Sequence, residues 1–110
     1  MRSVTAAVLA LVLSACGAGA AASPVATNQV DLPQSYRFEP EVITVPVGTE
    51  VTWTNNDQFT HSVRLLDDGG EVMKLAPGES VSFTFDTAGT HDYDCSFHPQ
   101  DMKGSVVVTD

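Results

Sequence analysis

Residues 80–85 read Ser-Val-Ser-Phe-Thr-Phe, a strict alternation of polar and apolar side chains. Successive side chains of a β-strand point to opposite faces, so this stretch makes a strand with one apolar face, carrying Val81, Phe83 and Phe85. The habit recurs along the chain. Val42 to Val45 is β-branched throughout, Glu50 to Thr54 alternates around Val51 and Trp53, and Ser62 to Leu65 resumes the pattern. His91 to Cys95 and Gly104 to Thr109 read as the last two strands. Between them lie turn formers: Gly48, Asn55-Asn56-Asp57, Asp67-Asp68-Gly69-Gly70, Pro77-Gly78 and Ala88-Gly89. After residue 30 no segment has the 3.6-residue period of a helix. Seven or so short strands separated by close turns predict an all-β sandwich or a small barrel. A core of roughly 80 residues is thin but sufficient for independent folding. Trp53, Phe83, Phe85 and Tyr93 are its expected aromatics, with Met73 and His91 read as packing residues.

Charge and cysteine content narrow the partners. The 110 residues carry 14 acidic and 5 basic side chains, a formal net charge of −9. Nucleic acid is excluded as a partner, because phosphate binding needs clustered Lys and Arg. With 43% hydrophobic and only 17% charged residues, the chain is not a disordered acidic tail. Two cysteines exclude a disulfide-dense scaffold.

The first segment reads as an address. Arg2 precedes a nearly uninterrupted apolar run from Val4 to Leu13. That run is about half of the roughly 20 residues that span a bilayer, which is the layout of a secretory signal. Leu13-Ser14-Ala15-Cys16 resembles a bacterial lipobox, which implies cleavage before Cys16 and a lipid on that residue. The competing reading is ordinary signal-peptidase cleavage within residues 18–23. Residues 1–15 are therefore expected to be a lipoprotein signal peptide, 16–28 a lipid-anchored flexible tether, and 29–110 the folded domain. A dozen flexible residues reach roughly 20 Å, enough to hold a domain near a membrane surface. The expected location is extracytoplasmic, in the periplasm or on the outer face of a bacterial cell membrane. If Cys16 carries lipid, Cys95 has no disulfide partner and needs another role.

That role is suggested by its neighbours. Cys95, His98 and Met102 fall within eight residues at the end of a strand. Thiolate, imidazole and thioether form a soft-to-borderline donor set that suits copper. Calcium and magnesium prefer oxygen ligands, and zinc rarely recruits Met. A trigonal copper site needs a second His from elsewhere, and His61 is the candidate. Gln100 is a poor axial donor, only two residues after His98. Asp101 is expected to be solvated.

These residues resemble a known family. Phe38-Glu39-Pro40, Ile43-Thr44-Val45, Gly48-Thr49 and Val51-Thr52-Trp53-Thr54-Asn55 look like the N-terminal half of the small blue copper proteins. His61-Ser62-Val63 looks like their first His ligand, and Gly89-Thr90, Tyr93, Cys95, His98-Pro99, Met102 and Gly104 like their ligand loop. The match is to cupredoxins of the plastocyanin, amicyanin and pseudoazurin type and covers residues 30–110. It implies a cupredoxin-like Greek-key β-sandwich of about 7–8 strands holding one type 1 copper ion. His61, Cys95 and His98 would be equatorial ligands and Met102 the weak axial one. It also implies single-electron transfer between redox proteins, with no bond chemistry, and an apolar docking patch for which Phe59, Phe97 and Pro99 are candidates.

Two departures stand out. Three residues separate His98 from Met102, between the amicyanin-like and plastocyanin-like spacings. Ser62 stands where the family commonly has Asn, whose side chain ties two loops together. That tie is expected to be weaker, or to be taken over by Asn55 or Asn56. The rival function is an envelope copper-binding protein that buffers or delivers the metal. Three His in the whole chain are too few for the extra copper sites of a copper enzyme, and nothing demands more than a monomer.

Overall fold

The computed structural model describes residues 23–110. The signal-peptide reading of 1–15 and the lipidation reading of Cys16 lie outside them. The described residues form nine strands: β1 Val25–Ala26, β2 Gln29–Leu32, β3 Val42–Pro46, β4 Thr49–Asn55, β5 His61–Leu65, β6 Val72–Leu75, β7 Ser80–Phe85, β8 Gly89–Asp94 and β9 Lys103–Thr109. They build a six-stranded sheet of order β1-β3-β9-β8-β5-β6 and a three-stranded sheet of order β2-β4-β7. The β1–β3, β2–β4 and β3–β9 pairs are parallel and the others antiparallel.

The core lies between the sheets, where the alternating apolar residues meet. Trp53, Phe85 and Tyr93 are buried, and Trp53 packs edge-on to Tyr93 at 5.3 Å between ring centroids. Phe38 also packs edge-on to Tyr93, at 4.8 Å. Phe83, expected inside, is only half-buried, because β7 is the edge strand of the three-stranded sheet. Met73 is likewise half-buried against the core. Gly104 is required by close approach. A Cβ there would stand 2.5 Å from the Tyr93 ring, so the aromatic that anchors β8 needs a glycine on β9.

Two elements exceed the sequence expectation. Val25–Ala26, within the stretch read as tether, pairs with Ile43 and Thr44, and the Asn28 carbonyl accepts a hydrogen bond from Thr52 N. Strand pairing thus reaches back to Val25. Strand β6 returns from the Asp67–Gly70 turn to pair with β5, bringing the count to nine rather than 7–8.

The topology explains how distant residues meet. Strands β5 and β8 are antiparallel neighbours, with Arg64 opposite Asp94. Continuing that register carries the residues after Asp94 toward the start of β5. Cys95 and His61, 34 residues apart, come together at one end of the sheet. Arg64 fastens the junction with two hydrogen bonds to the Asp94 carboxylate, at 2.8 and 2.9 Å.

Candidate metal centre

His61, Cys95 and Met102 are fully buried, and His98 is half-buried. One donor atom each from His61, Cys95 and His98 lie within 4.8 Å of one another. The segment carrying the last three residues is braced by its own backbone. Cys95 N donates to Met102 O, His98 N to Cys95 O, and Asp101 N and Met102 N both to His98 O, at 3.0–3.1 Å. Asp101 and Gln100 are exposed.

His61 is oriented from behind. Its Nε2 lies 2.8 Å from Asp57 Oδ2, and both side chains are almost completely buried. A carboxylate accepts, so Nε2 carries the proton and the Nδ1 lone pair is free. Nδ1 faces Cys95 Sγ at 4.0 Å. The hydrogen bond from His61 holds the Asp57 carboxyl below its ordinary pKa. Asp57 is itself fixed: its N–H donates to Asn55 Oδ1 at 2.9 Å, and its Oδ1 accepts from Gln58 N at 2.7 Å.

The Cys95 sulfur has two donors, Ser62 N at 3.4 Å and Ser62 Oγ at 3.8 Å. Ser62 Oγ also accepts from Ser96 N at 2.8 Å and lies 2.8 Å from Ser96 Oγ. A hydroxyl has one proton and two lone pairs. With Ser96 Oγ–H donating, Ser62 is satisfied when its own proton points to sulfur. This corrects the expectation for the loop tie. Ser62 itself makes it, through Ser96. Asn55 instead donates to Phe59 O and Leu75 O, and the Asn56 side chain pairs with Asp31.

The donor set passes a test of fit. His98 Nδ1 is buried with no hydrogen-bond partner among the described residues. A buried lone pair without a proton donor is costly unless something else takes it. Two imidazole nitrogens, a thiolate and a nearby thioether are what a copper ion takes.

Sequence reasoning missed three residues around this centre. Asp57 was read only as a turn former, and Ser96 carried no signal. Tyr36 lies with its ring centroid 4.6 Å from that of His98 and 6.2 Å from that of Phe59. Phe59, Phe97 and Pro99 are all exposed. His91 lies apart from the centre. It packs on Phe85 at 5.0 Å and its Nδ1 lies 3.0 Å from Asp68 Oδ2 as well, so it is more than packing.

The sequence matches the cupredoxin-like domain family over residues 3–108. The chain belongs to the cupredoxin-like family. Plastocyanin from Scenedesmus fuscus is 41% identical over 83 residues, covering 64% of this chain and 85% of that protein. Amicyanin-alpha from Methylorubrum extorquens is 32% identical over 91 residues, covering 78% of this chain and 75% of that one. A purple cupredoxin from Nitrosopumilus maritimus superposes with a TM-score of 0.64 at 32% identity, covering 74% of this chain and 98% of that structure. This cupredoxin is a copper protein, with His61, Cys95, His98 and Met102 poised as its site.

Proposed function

We propose that this cupredoxin is an extracytoplasmic carrier of single electrons between redox proteins, held at the membrane by lipid on Cys16. The observation that carries the reading is the convergence of His61, Cys95 and His98 on one point above a braced loop that ends in the buried Met102. Copper, when bound, supplies a one-electron couple. The protein's residues supply the rest. Asp57 fixes the His61 tautomer, Ser62 donates to the thiolate, and the β5–β8 junction holds both in place. Donors fixed beforehand need little rearrangement when the charge of the site changes.

The burial pattern favours retention over delivery. Three of the four donor residues have no exposed surface, so release requires the loop to open. A protein that hands its metal on would present its donors. Electrons reach the surface along the half-buried His98, and a partner docks on the exposed Phe59, Phe97 and Pro99. The net charge of −9 favours a basic partner and an on-rate that falls with salt.

Loading the purified chain with Cu(II) tests this. The expected result is an intense thiolate-to-copper absorption with a narrow copper hyperfine splitting, abolished by Cys95→Ser. A colourless, easily stripped Cu(II) complex would overturn the carrier reading in favour of copper buffering or delivery. For the anchor, Cys16→Ala is expected to release the protein from membranes.

A further inference from the structure

The two histidines of the centre are held by unlike means. Asp57 fixes the far nitrogen of His61. For the His98 ring no such polar bracket exists among the described residues, and its buried Nδ1 is unpartnered. What lies against the ring is Tyr36, at 4.6 Å between centroids and tilted by 55°. The same tyrosine stands edge-on to His61, at 5.8 Å and 89°, and stacks on Phe59 at 6.2 Å and 16°.

The loop that delivers Tyr36 is built for this. Its base is closed by two backbone hydrogen bonds, Asp31 N to Glu39 O and Glu39 N to Asp31 O, both 2.8 Å. Leu32 and Phe38, just inside that bridge, are buried anchors. Asn56 N donates to Leu32 O, which ties the loop to the segment carrying Asp57. At its tip, Ser35 and Tyr36 both take positive φ, 88° and 51°. Two successive non-glycine residues in that region are strained, and a bulky aromatic is an outlier there. Such conformations persist where the surroundings over-determine them, and they gather at functional sites.

Resting on the reading of this centre as a copper site, we infer that Tyr36 is a positioning residue for His98. Its ring does for His98 what the Asp57 carboxylate does for His61. It holds the imidazole with its buried Nδ1 turned inward and keeps water off one face of the ring. The strained turn places an aromatic ring there, and the contact needs no hydroxyl.

Four versions of the full chain test this: wild type, Tyr36→Ala, Tyr36→Phe and Tyr36→Gly. The first readout is the rate at which the reduced, copper-loaded protein gives Cu(I) to a chelator. The second is the nitrogen NMR signal of the His98 ring in the metal-free protein. Tyr36→Ala is expected to release copper about two- to tenfold faster, the range that an aromatic pair contact corresponds to. Its His98 signal should broaden, while Tyr36→Phe restores the wild-type rate and signal. Tyr36→Gly relieves the backbone strain as it removes the ring. It should melt no lower than Tyr36→Ala, yet release copper as fast, which separates loss of positioning from loss of fold. Wild-type release and an unchanged His98 signal in both the Ala and Gly variants would overturn the inference. Failure of the wild type to take up copper would instead defeat the copper reading, and the metal-free NMR arm would still decide the role of Tyr36.

Discussion

His61 and His98 each offer an imidazole nitrogen from opposite mountings. His61 is the first residue of a strand, fully buried, with a buried carboxylate behind it. His98 sits on a loop, half-buried, with an aromatic ring against it and solvent nearby. The difference follows from depth. A polar bracket inside a protein is strong only when complete, and the Asp57 network is complete because the Gln58 amide donates to its carboxylate and Asn55 Oδ1 holds its backbone N–H. Near the surface, water competes for every hydrogen bond but not for a ring-to-ring contact. The buried mounting therefore gives rigidity, and the exposed one gives rigidity with an open edge.

The sharpest way to break this comparison is Asp57→Ala. It strands the His61 Nε2 proton in the interior and should cost about 10–100-fold in copper affinity, as the loss of such outer partners does elsewhere. Competition with a chelator measures it. Parity with Tyr36→Ala would mean that the buried bracket is no stronger than the ring. Ser62→Ala is next. It leaves the Ser96 amide without its acceptor and the sulfur with one donor fewer, so the domain should lose about 1–3 kcal/mol. The thiolate becomes more electron-rich, so the reduction potential should fall. Denaturant titration and voltammetry read the two effects, and an unchanged potential would remove the Ser62 hydroxyl from the tuning of sulfur.

The smallest effect is expected away from the centre, at His91, and serves as a control. Burial opposes its charge. The Asp68 hydrogen bond and the Thr87 carbonyl, helped by the charges of Asp68 and Asp67, outweigh that opposition and raise its pKa. Both ring nitrogens face acceptors, Asp68 at 3.0 Å and Thr87 O at 2.8 Å, so the charged ring satisfies both. Its contribution is fully present below the unfolded value near 6.5 and is lost as pH rises through the raised folded value. Melting curves of wild type and His91→Gln should converge toward alkaline pH with the copper spectrum unchanged. Parallel curves across that window would remove His91 as a contributor.

Much of this architecture was legible in the residues. Alternation located β3, β4, β5, β7, β8 and β9 to within a residue or two, because each has one face against the core. Cys95, His98, Met102 and His61 stood out because their chemistry is specific and three of them are close in sequence. Strand β6 escaped notice. Its burial alternates, but the exposed Val72 is apolar, so Val-Met-Lys-Leu does not alternate in residue type. Strand β1 is two exposed residues held by backbone pairing alone, which leaves no trace in side-chain type. The bracket residues escaped for a different reason. Asp57 looks like any turn aspartate until the fold sets a histidine behind it. Ser35 and Tyr36 adopt a conformation that sequence ordinarily signals with Gly or Asn.

The pairing of β5 with β8 has a consequence for how the centre is assembled. Cys95, His98 and Met102 are near neighbours even in an unfolded chain, but His61 joins them only after a long-range loop closes. Such closures are slow steps in chains dominated by distant pairings. The colour of the loaded protein would then act as a clock for one event, the docking of β5 against β8. Refolding watched by that colour would time it separately from the growth of the sheets, which far-ultraviolet dichroism follows.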